Sequence, residues 1–267
     1  MKNQIFLIFD SLRWDIFKKA KTPFLKSLGK WRKAYTQATY TFPAIMSFFA
    51  GKLPQVFNNR DFFDTVATRF NLRGKGYRNI PLWNLSNPES PRKSKLSLDG
   101  KNIIFGFNEL GYKTIGTGGV NWFNPTLPAG KYLTEAFKEF KFFDGPNFAF
   151  QTSAEDQVDW VINSVKKSKE PYFVFVNFGE THHKYIFRNC EWFDEPNPYG
   201  NPSECKIRQK KCIEYLDKIV EILLNSLSNF DLIICSDHGD AMGENGLWGH
   251  GFFHKKVMEV PILIKLD

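Results

Sequence analysis

The stretch DLIICSDHGDAMGENGLWGHG, Asp231–Gly251, decides how the rest of the chain is read. It opens on an apolar run, Leu232 to Cys235, whose length and isoleucine content suit a buried strand. A second apolar run, Val260 to Ile264, follows shortly after. The acids and histidines between them, Asp237, His238 and His250 included, are costly to hold between two buried strands unless something binds there. A metal ion with an anion beside it is the simplest occupant. Gly239, Gly243, Gly246, Gly249 and Gly251 are expected to provide tight turns around such a site.

Working outward, the same pattern of an apolar strand closed by an acid recurs in NQIFLIFD, ending at Asp10, and in PYFVFVNFGE, ending at Glu180. YKTIGTGG and VPILIKLD read as further strands, and KAYTQATY has strand character. Helices are predicted from Thr22-Pro23 to near Gly29, with Thr22 as N-cap, and over TFPAIMSFFAG, closed by Gly51. Others are predicted over KNIIFGFNELG, over SAEDQVDWVINSVKKS with a Ser153/Asp156 capping box, and over PSECKIRQKKCIEYLDKIVEILLNSL. Buried strands alternating with helices predict a three-layer α/β fold, a mostly parallel sheet with helices on both faces. In such sheets ligands collect at the carboxyl ends of the strands, where Asp10, Glu180 and Asp237 fall. The chain reads as one catalytic domain, residues 1–267, with a Pro/Ser/Asn-rich surface excursion over about 58–99.

Bulk properties narrow the function class. No apolar run reaches the roughly 18 residues of a membrane span. The apolar part of the N-terminus, Ile5 to Phe9, is shorter than the roughly 7–15 residues of a signal segment, so a buried first strand and a cytoplasmic protein are expected. The net charge of +8, from 36 basic and 28 acidic residues, is scattered rather than gathered into a stripe. No stable nucleic-acid complex is expected; an anionic ester is the expected partner. Cys190, Cys205, Cys212 and Cys235 match no zinc spacing and are expected to stay reduced, with a local cluster of the first three as the alternative.

Thr41 stands at the predicted start of the TFPAIMSFFAG helix. Unpaired N–H groups and the helix dipole there favour an anion, so a threonine hydroxyl in that place is well set to lose a proton. Asp10, Asp237 and His238 are suitable ligands for a divalent cation beside it, zinc, manganese, magnesium or calcium, with the Thr41 oxygen completing the set.

FLIFDSLRWD, TYTFPAIMSFFAGKLP and LIICSDHGDAMGENGLWGHGFFHKKVMEVPILI, in that order and spacing, resemble the sulfatase-like branch of the alkaline phosphatase superfamily. FNELGYKTIGTGG resembles that family's helix and strand after the nucleophile. The resemblance covers most of the chain apart from about residues 58–98 and 188–203. It implies metal ligation by Asp10, Asp237 and His238, and attack by Thr41 on a phosphorus or sulfur centre through a covalent intermediate. Sulfatases carry Cys-x-Pro-x-Arg, whereas this chain reads Thr41-Phe42-Pro43-Ala44-Ile45, without the modifiable cysteine or the arginine. The threonine is similar instead to nucleotide phosphodiesterases and to phosphoglycerol transferases of the lipoteichoic-acid synthase type. A phosphate mono- or diester is therefore the expected substrate, with a sulfate ester or phosphonate as the alternative. GETHHKY resembles the segment that supplies a second metal or substrate contact, through Glu180 and His183, with His182 as the substitute. His250 stands where relatives contact the substrate. One metal site is expected; a second would use Glu180, His183 and His250.

Each residue also has a plainer reading. Thr41 taken alone is an N-cap. Asp10 suits a cap, His182 and His183 suit an exposed surface, and His254 a solvated face. Arg13 suits either a surface ion pair or an anion contact. A non-catalytic metal- or anion-binding protein of the same fold is the rival from another class.

Overall fold

The computed structural model describes residues 1–51, 102–143 and 153–266; the excursion expected over 58–99 lies outside them. In chain order the elements are β1 (Asn3–Phe9), α1 (Trp14–Lys19), α2 (Pro23–Ser27), β2 (Arg32–Tyr35), α3 (Thr41–Ala50), α4 (Ile103–Glu109), β3 (Lys113–Gly118), α5 (Pro128–Thr134) and β4 (Glu139–Phe142). There follow α6 (Ala154–Lys166), β5 (Tyr172–Phe178), α7 (Pro202–Asn225), β6 (Phe230–Ser236), a small hairpin of β7 (Ala241–Met242) and β8 (Trp248–Gly249), α8 (Lys255–Met258) and β9 (Glu259–Lys265).

Among the described residues, seven strands form one sheet in the order β2-β9-β6-β1-β5-β3-β4. β6, β1, β5, β3 and β4 run parallel, while β9 is antiparallel to both β6 and β2. The alternation along each strand divides the core in two. From β1 and β5, Ile5, Leu7, Phe9, Val174, Val176 and Phe178 face one way, against α1, α2, α6 and α7. Ile8, Phe173 and Phe175 face the other, against α3, α4 and α5, in a core rich in phenylalanine. A strand buried on both faces has no polar side to show, which is why these segments read as continuous apolar runs.

Two expectations change in detail. KAYTQATY is a strand only as far as Tyr35, because beyond it the chain leaves the sheet edge to meet the loops after β6. Thr36 hydrogen-bonds the Asp237 carbonyl, and Gly251 N–H donates to Thr39 O at 2.7 Å. Thr22 does precede α2 but its hydroxyl caps nothing. The cap is Asp217 of α7, whose carboxylate accepts from Phe24 N–H at 3.2 Å and Leu25 N–H at 2.8 Å. A charged acceptor matches the helix N-terminus better than a hydroxyl, and it also ties α2 to α7. α3 closes as expected, on Gly51 at φ 63°, with its N–H on Ser47 O. No helix among the described residues is long and apolar enough to cross a membrane.

Candidate active site

The carboxyl ends of the central strand β1 and its neighbour β6 carry the site. Asp10 follows β1, and Ser11, at φ 61°, turns the chain sharply after it. That turn aims Ser11 N–H at Asp237 Oδ1 (3.1 Å) and Ser11 Oγ at Asp10 Oδ1 (2.9 Å). From below, Thr181 Oγ1 donates to the Asp10 carbonyl at 2.6 Å, and Ser236 Oγ accepts from Leu12 N–H at 2.9 Å. The loops after β1, β5 and β6 are thus stitched to one another. Gly239 is required here by crowding: a Cβ would lie 2.2 Å from the Lys256 carbonyl oxygen. Gly243, Gly246, Gly249 and Gly251 all have positive φ, as turns of this kind need.

Thr41 is the first residue of α3, after Tyr40 at the N-cap. Its hydroxyl turns away from the helix and donates to Asp10 Oδ2 at 3.1 Å, with His238 Nε2 at 3.3 Å. His238 Nε2 also lies 3.5 Å from Asp237 Oδ2 and 3.8 Å from Asp10 Oδ1. All four side chains are buried. His238 Nδ1 meets Gly239 O at 3.0 Å, and a carbonyl can only accept. The neutral ring therefore carries its proton on Nδ1 and points the Nε2 lone pair at the carboxylates, as a metal-ligating imidazole does.

The electrostatics of this cluster call for a cation. Burial pushes the Asp10 carboxyl above its ordinary value, against the opposing pull of His238. Burial and then the charge of Asp10 push Asp237 up to about 7. For His238, burial acts downward, but Asp237, Asp10 and Asp240 outweigh it and the net direction is upward. Among the described residues, Asp237 Oδ2 has no hydrogen-bond partner. Asp10, Asp237 and His238 bring ligand atoms within 4.8 Å of one another. Two carboxylates, one imidazole nitrogen and a hydroxyl make a donor set that fits a divalent ion.

Beside it lies a row of imidazoles. The His250 ring centroid is 4.3 Å from that of His238, 5.2 Å from His182 and 6.0 Å from His183. His182, His183 and His250 form a second ligand cluster, and His238, Asp240 and His250 a third. Both histidines of GETHHKY therefore reach this region.

Glu180 does not join them: among the described residues it belongs to no such cluster. Its carboxyl turns to the N-terminus of α6, where Oε1 accepts from Ala154 N–H at 2.8 Å. It thus takes over the capping expected of Ser153 and Asp156; the Ser153 hydroxyl bonds Gln157, and Asp156 pairs with Arg188. Burial pushes Glu180 up to about 8, past the lowering effect of the N–H groups it faces. Below its ordinary value of 4.5 the folded and unfolded chains both carry the neutral acid. From there to about 8 only the unfolded chain ionises, so stability falls as pH rises, by up to about 1.4 kcal/mol per unit. Glu180→Gln, neutral throughout, is expected to melt with the wild type near about pH 5 and well above it near about pH 8.5. Parallel melting curves at both pH values would refute the assignment.

Other residues settle into plainer roles. Arg13 is a buried hub: its guanidinium pairs with Asp15 and with Glu244, each at 2.9 Å. His254 caps α8 by accepting from Lys256 N–H at 3.1 Å. All four cysteines are buried free thiols, and no ligand cluster of the described residues includes one. Asp240, which the sequence reading passed over, is fully buried in the middle of the site, 2.6 Å from His250 Nδ1. Its signal was its place, two residues after His238 and still inside the Asp237–His250 segment.

This sheet order, with acids and histidines gathered at the ends of the inner strands, defines an α/β fold of the alkaline-phosphatase type. The C-terminal periplasmic domain of EcEptC from Escherichia coli, in complex with Zn, matches with a TM-score of 0.65 at 14% identity, over 100% of this chain and 73% of that one. A protein in the alkaline phosphatase superfamily from Vibrio parahaemolyticus matches with a TM-score of 0.60 at 16% identity, over 99% and 60%. The chain belongs to the type I phosphodiesterase / nucleotide pyrophosphatase family, whose pattern matches residues 4–260, within the alkaline phosphatase superfamily. It is also 23% identical to a choline-sulfatase from Rhizobium meliloti (strain 1021), over 98% of its own length, and spans 62% of the length of that relative.

Proposed function

We propose that this protein is a metal-dependent hydrolase or transferase of phosphate mono- or diesters that works through a covalent intermediate on Thr41. The observation that carries the reading is the position of the Thr41 hydroxyl, 3.1 Å from one carboxylate oxygen of Asp10 and 3.3 Å from His238 Nε2, at the first residue of a helix. The family's phosphodiesterase description supports the substrate class. A divalent ion held by Asp10, Thr41, Asp237 and His238 would lower the pKa of the hydroxyl and neutralise charge developing on the ester.

The remaining steps belong to the chain itself. The hydrogen bond to Asp10 directs the Thr41 proton at a carboxylate and leaves an oxygen lone pair for attack on phosphorus. A bond forms from Thr41 Oγ1 to phosphorus as the ester P–O bond breaks, and the leaving oxygen takes up a proton. His183 and His250 would bind the non-bridging oxygens or supply that proton, His250 doing so only after its Nε2 has taken up a proton in addition to the one on Nδ1. Water or an alcohol then attacks the phosphothreonine and frees Thr41. The likeness to a choline-sulfatase favours a second reading, a sulfate ester, yet Thr41-Phe42-Pro43-Ala44-Ile45 lacks the residues that the formylglycine route needs.

Turnover of nitrophenyl phosphate, bis-nitrophenyl phosphate and nitrophenyl sulfate by metal-supplemented protein separates these readings. One of the two phosphates is expected to be cleaved fastest. Preference for the sulfate would replace the substrate class, and cleavage of none would point to the non-catalytic rival.

A further inference from the structure

Asp240 is a carboxylate with no exposed surface, and both of its oxygens are engaged by protein donors. Oδ1 meets His250 Nδ1 at 2.6 Å, and Oδ2 accepts from the Tyr185 hydroxyl at 2.7 Å. Its backbone carbonyl accepts from Arg13 Nη1 at 3.2 Å, so the main chain is held as well. Tyr185 is itself buried; burial first and then the charge of Asp240 raise its phenol well above the ordinary value, so it stays a donor. Trp192 Nε1 fixes the Tyr185 carbonyl at 2.7 Å. Desolvating a carboxylate costs several kcal/mol, which short charge-assisted bonds of this kind offset. Three separate segments, around residues 13, 185 and 240, thus converge to hold one imidazole.

We infer that Asp240 is the positioning residue of the site: with Tyr185 behind it, it fixes His250 with its proton on Nδ1 and its Nε2 turned to the reaction. The chemistry follows from the acceptor. An ionised carboxylate only accepts, so the nitrogen 2.6 Å away must be the one that carries hydrogen. Nε2 lies across the ring from that bond, and the rings of His238, His182 and His183 surround the imidazole. Asp240 belongs by distance to a ligand cluster with His238 and His250. With Tyr185 and His250 on its two oxygens and Arg13 on its carbonyl, Asp240 is built to orient the imidazole, and the zinc content of Asp240→Asn separates that part from ion binding. This inference rests on the proposed function for its consequence, but not for its geometry.

The test labels the histidines with nitrogen-15 in protein prepared with zinc and reads the two ring nitrogens of His250, assigned through His250→Gln. The wild type is expected to show Nδ1 protonated and Nε2 bare. In Asp240→Asn the new amide can donate, and the two signals are expected to exchange character. Ester turnover is expected to fall about 10- to 100-fold, the usual cost of losing such an orienting partner. In a His250→Ala background the same substitution is expected to cost less than about twofold, because its effect passes through that ring. A wild-type His250 protonated on Nε2, unchanged nitrogen signals in Asp240→Asn, or full additivity with His250→Ala would each overturn the inference. Loss of bound zinc in Asp240→Asn with the His250 signals intact would do so too, making Asp240 a ligand. Should Asp240→Asn not fold, Tyr185→Phe is read instead: weakened His250 Nδ1 protonation supports the inference and an unaltered ring refutes it. The nitrogen signals do not depend on turnover, so a protein that cleaves no ester would sink the proposed function and leave this result readable.

Discussion

Thr41→Ala is expected to lower ester cleavage by about 10⁴-fold or more while leaving the fold and the bound metal in place, on the scale seen when a catalytic nucleophile is removed. The size follows from the chemistry: without the hydroxyl no covalent intermediate forms, and only binding and electrostatic stabilisation remain. The selectivity follows from the structure. Thr41 does not cap α3 and, among the described residues, its hydroxyl bonds across the site to Asp10 and His238 rather than to the helix. Asp10, Asp237 and His238 stay behind to hold the proposed ion. Thr41→Ser keeps the oxygen and is expected to stay within about tenfold of the wild type, a loss of about 1.4 kcal/mol at most. Quenched wild-type reactions should carry a phosphorylated Thr41 peptide by mass spectrometry. Wild-type turnover in the alanine variant would end the threonine mechanism.

The second large effect is expected from the metal and from Asp237. Asp237 has an ordinary value of 3.8 and is pushed up to about 7 by burial and by Asp10. In metal-free protein the unfolded chain ionises this group first, so stability falls as pH rises from about 3.8 to about 7 and stays low above that. Cation binding needs the ionised forms, so affinity rises across the same range and protons compete below it. At about pH 8, adding metal at roughly 100 times its dissociation constant contributes about 2.7 kcal/mol. For a chain of this size that raises the melting temperature by roughly 5–10 °C. Asp237→Asn removes a ligand charge and the strain of two adjacent carboxylates together. The variant is expected to bind metal poorly, to lose the metal-induced rise in melting temperature and to cleave no ester. Melting curves with and without chelator, beside elemental analysis, check this. An identical melt in both conditions with no metal bound would remove the cation from the account.

The strands that carry the site were legible because β1, β5 and β6 are buried on both faces and stand out as unbroken apolar runs. The place of Asp10 and Asp237 was legible because an acid just past such a run tends to fall at the end of the sheet. Glu180 met that rule and still turned to the α6 N-terminus, since a helix two dozen residues earlier in the chain can attract a carboxylate and one-dimensional spacing does not say so. The same blindness hid Asp217 as the cap of α2, almost two hundred residues away. The six residues of α1, the seven of α5 and the four of β4 carried no expectation, because so few residues define no period. Asp240 was overlooked for another reason. Its importance lies in what it touches, Tyr185 and His250, and neither contact leaves a trace in spacing.

The place of β1 at the middle of the sheet has a consequence for how the molecule is made. Its neighbours are β5 and β6, with Gln4 beside Phe173 and Asn3 beside Phe230. β1 leaves the ribosome ahead of both partners and must therefore wait, unpaired and strongly apolar, until more than two hundred further residues have been translated before both its edges are covered. Such distant partners slow folding and lengthen exposure to aggregation. A nascent chain stopped before residue 230 holds Asp10 and Thr41 but neither Asp237 nor the strand that would support it.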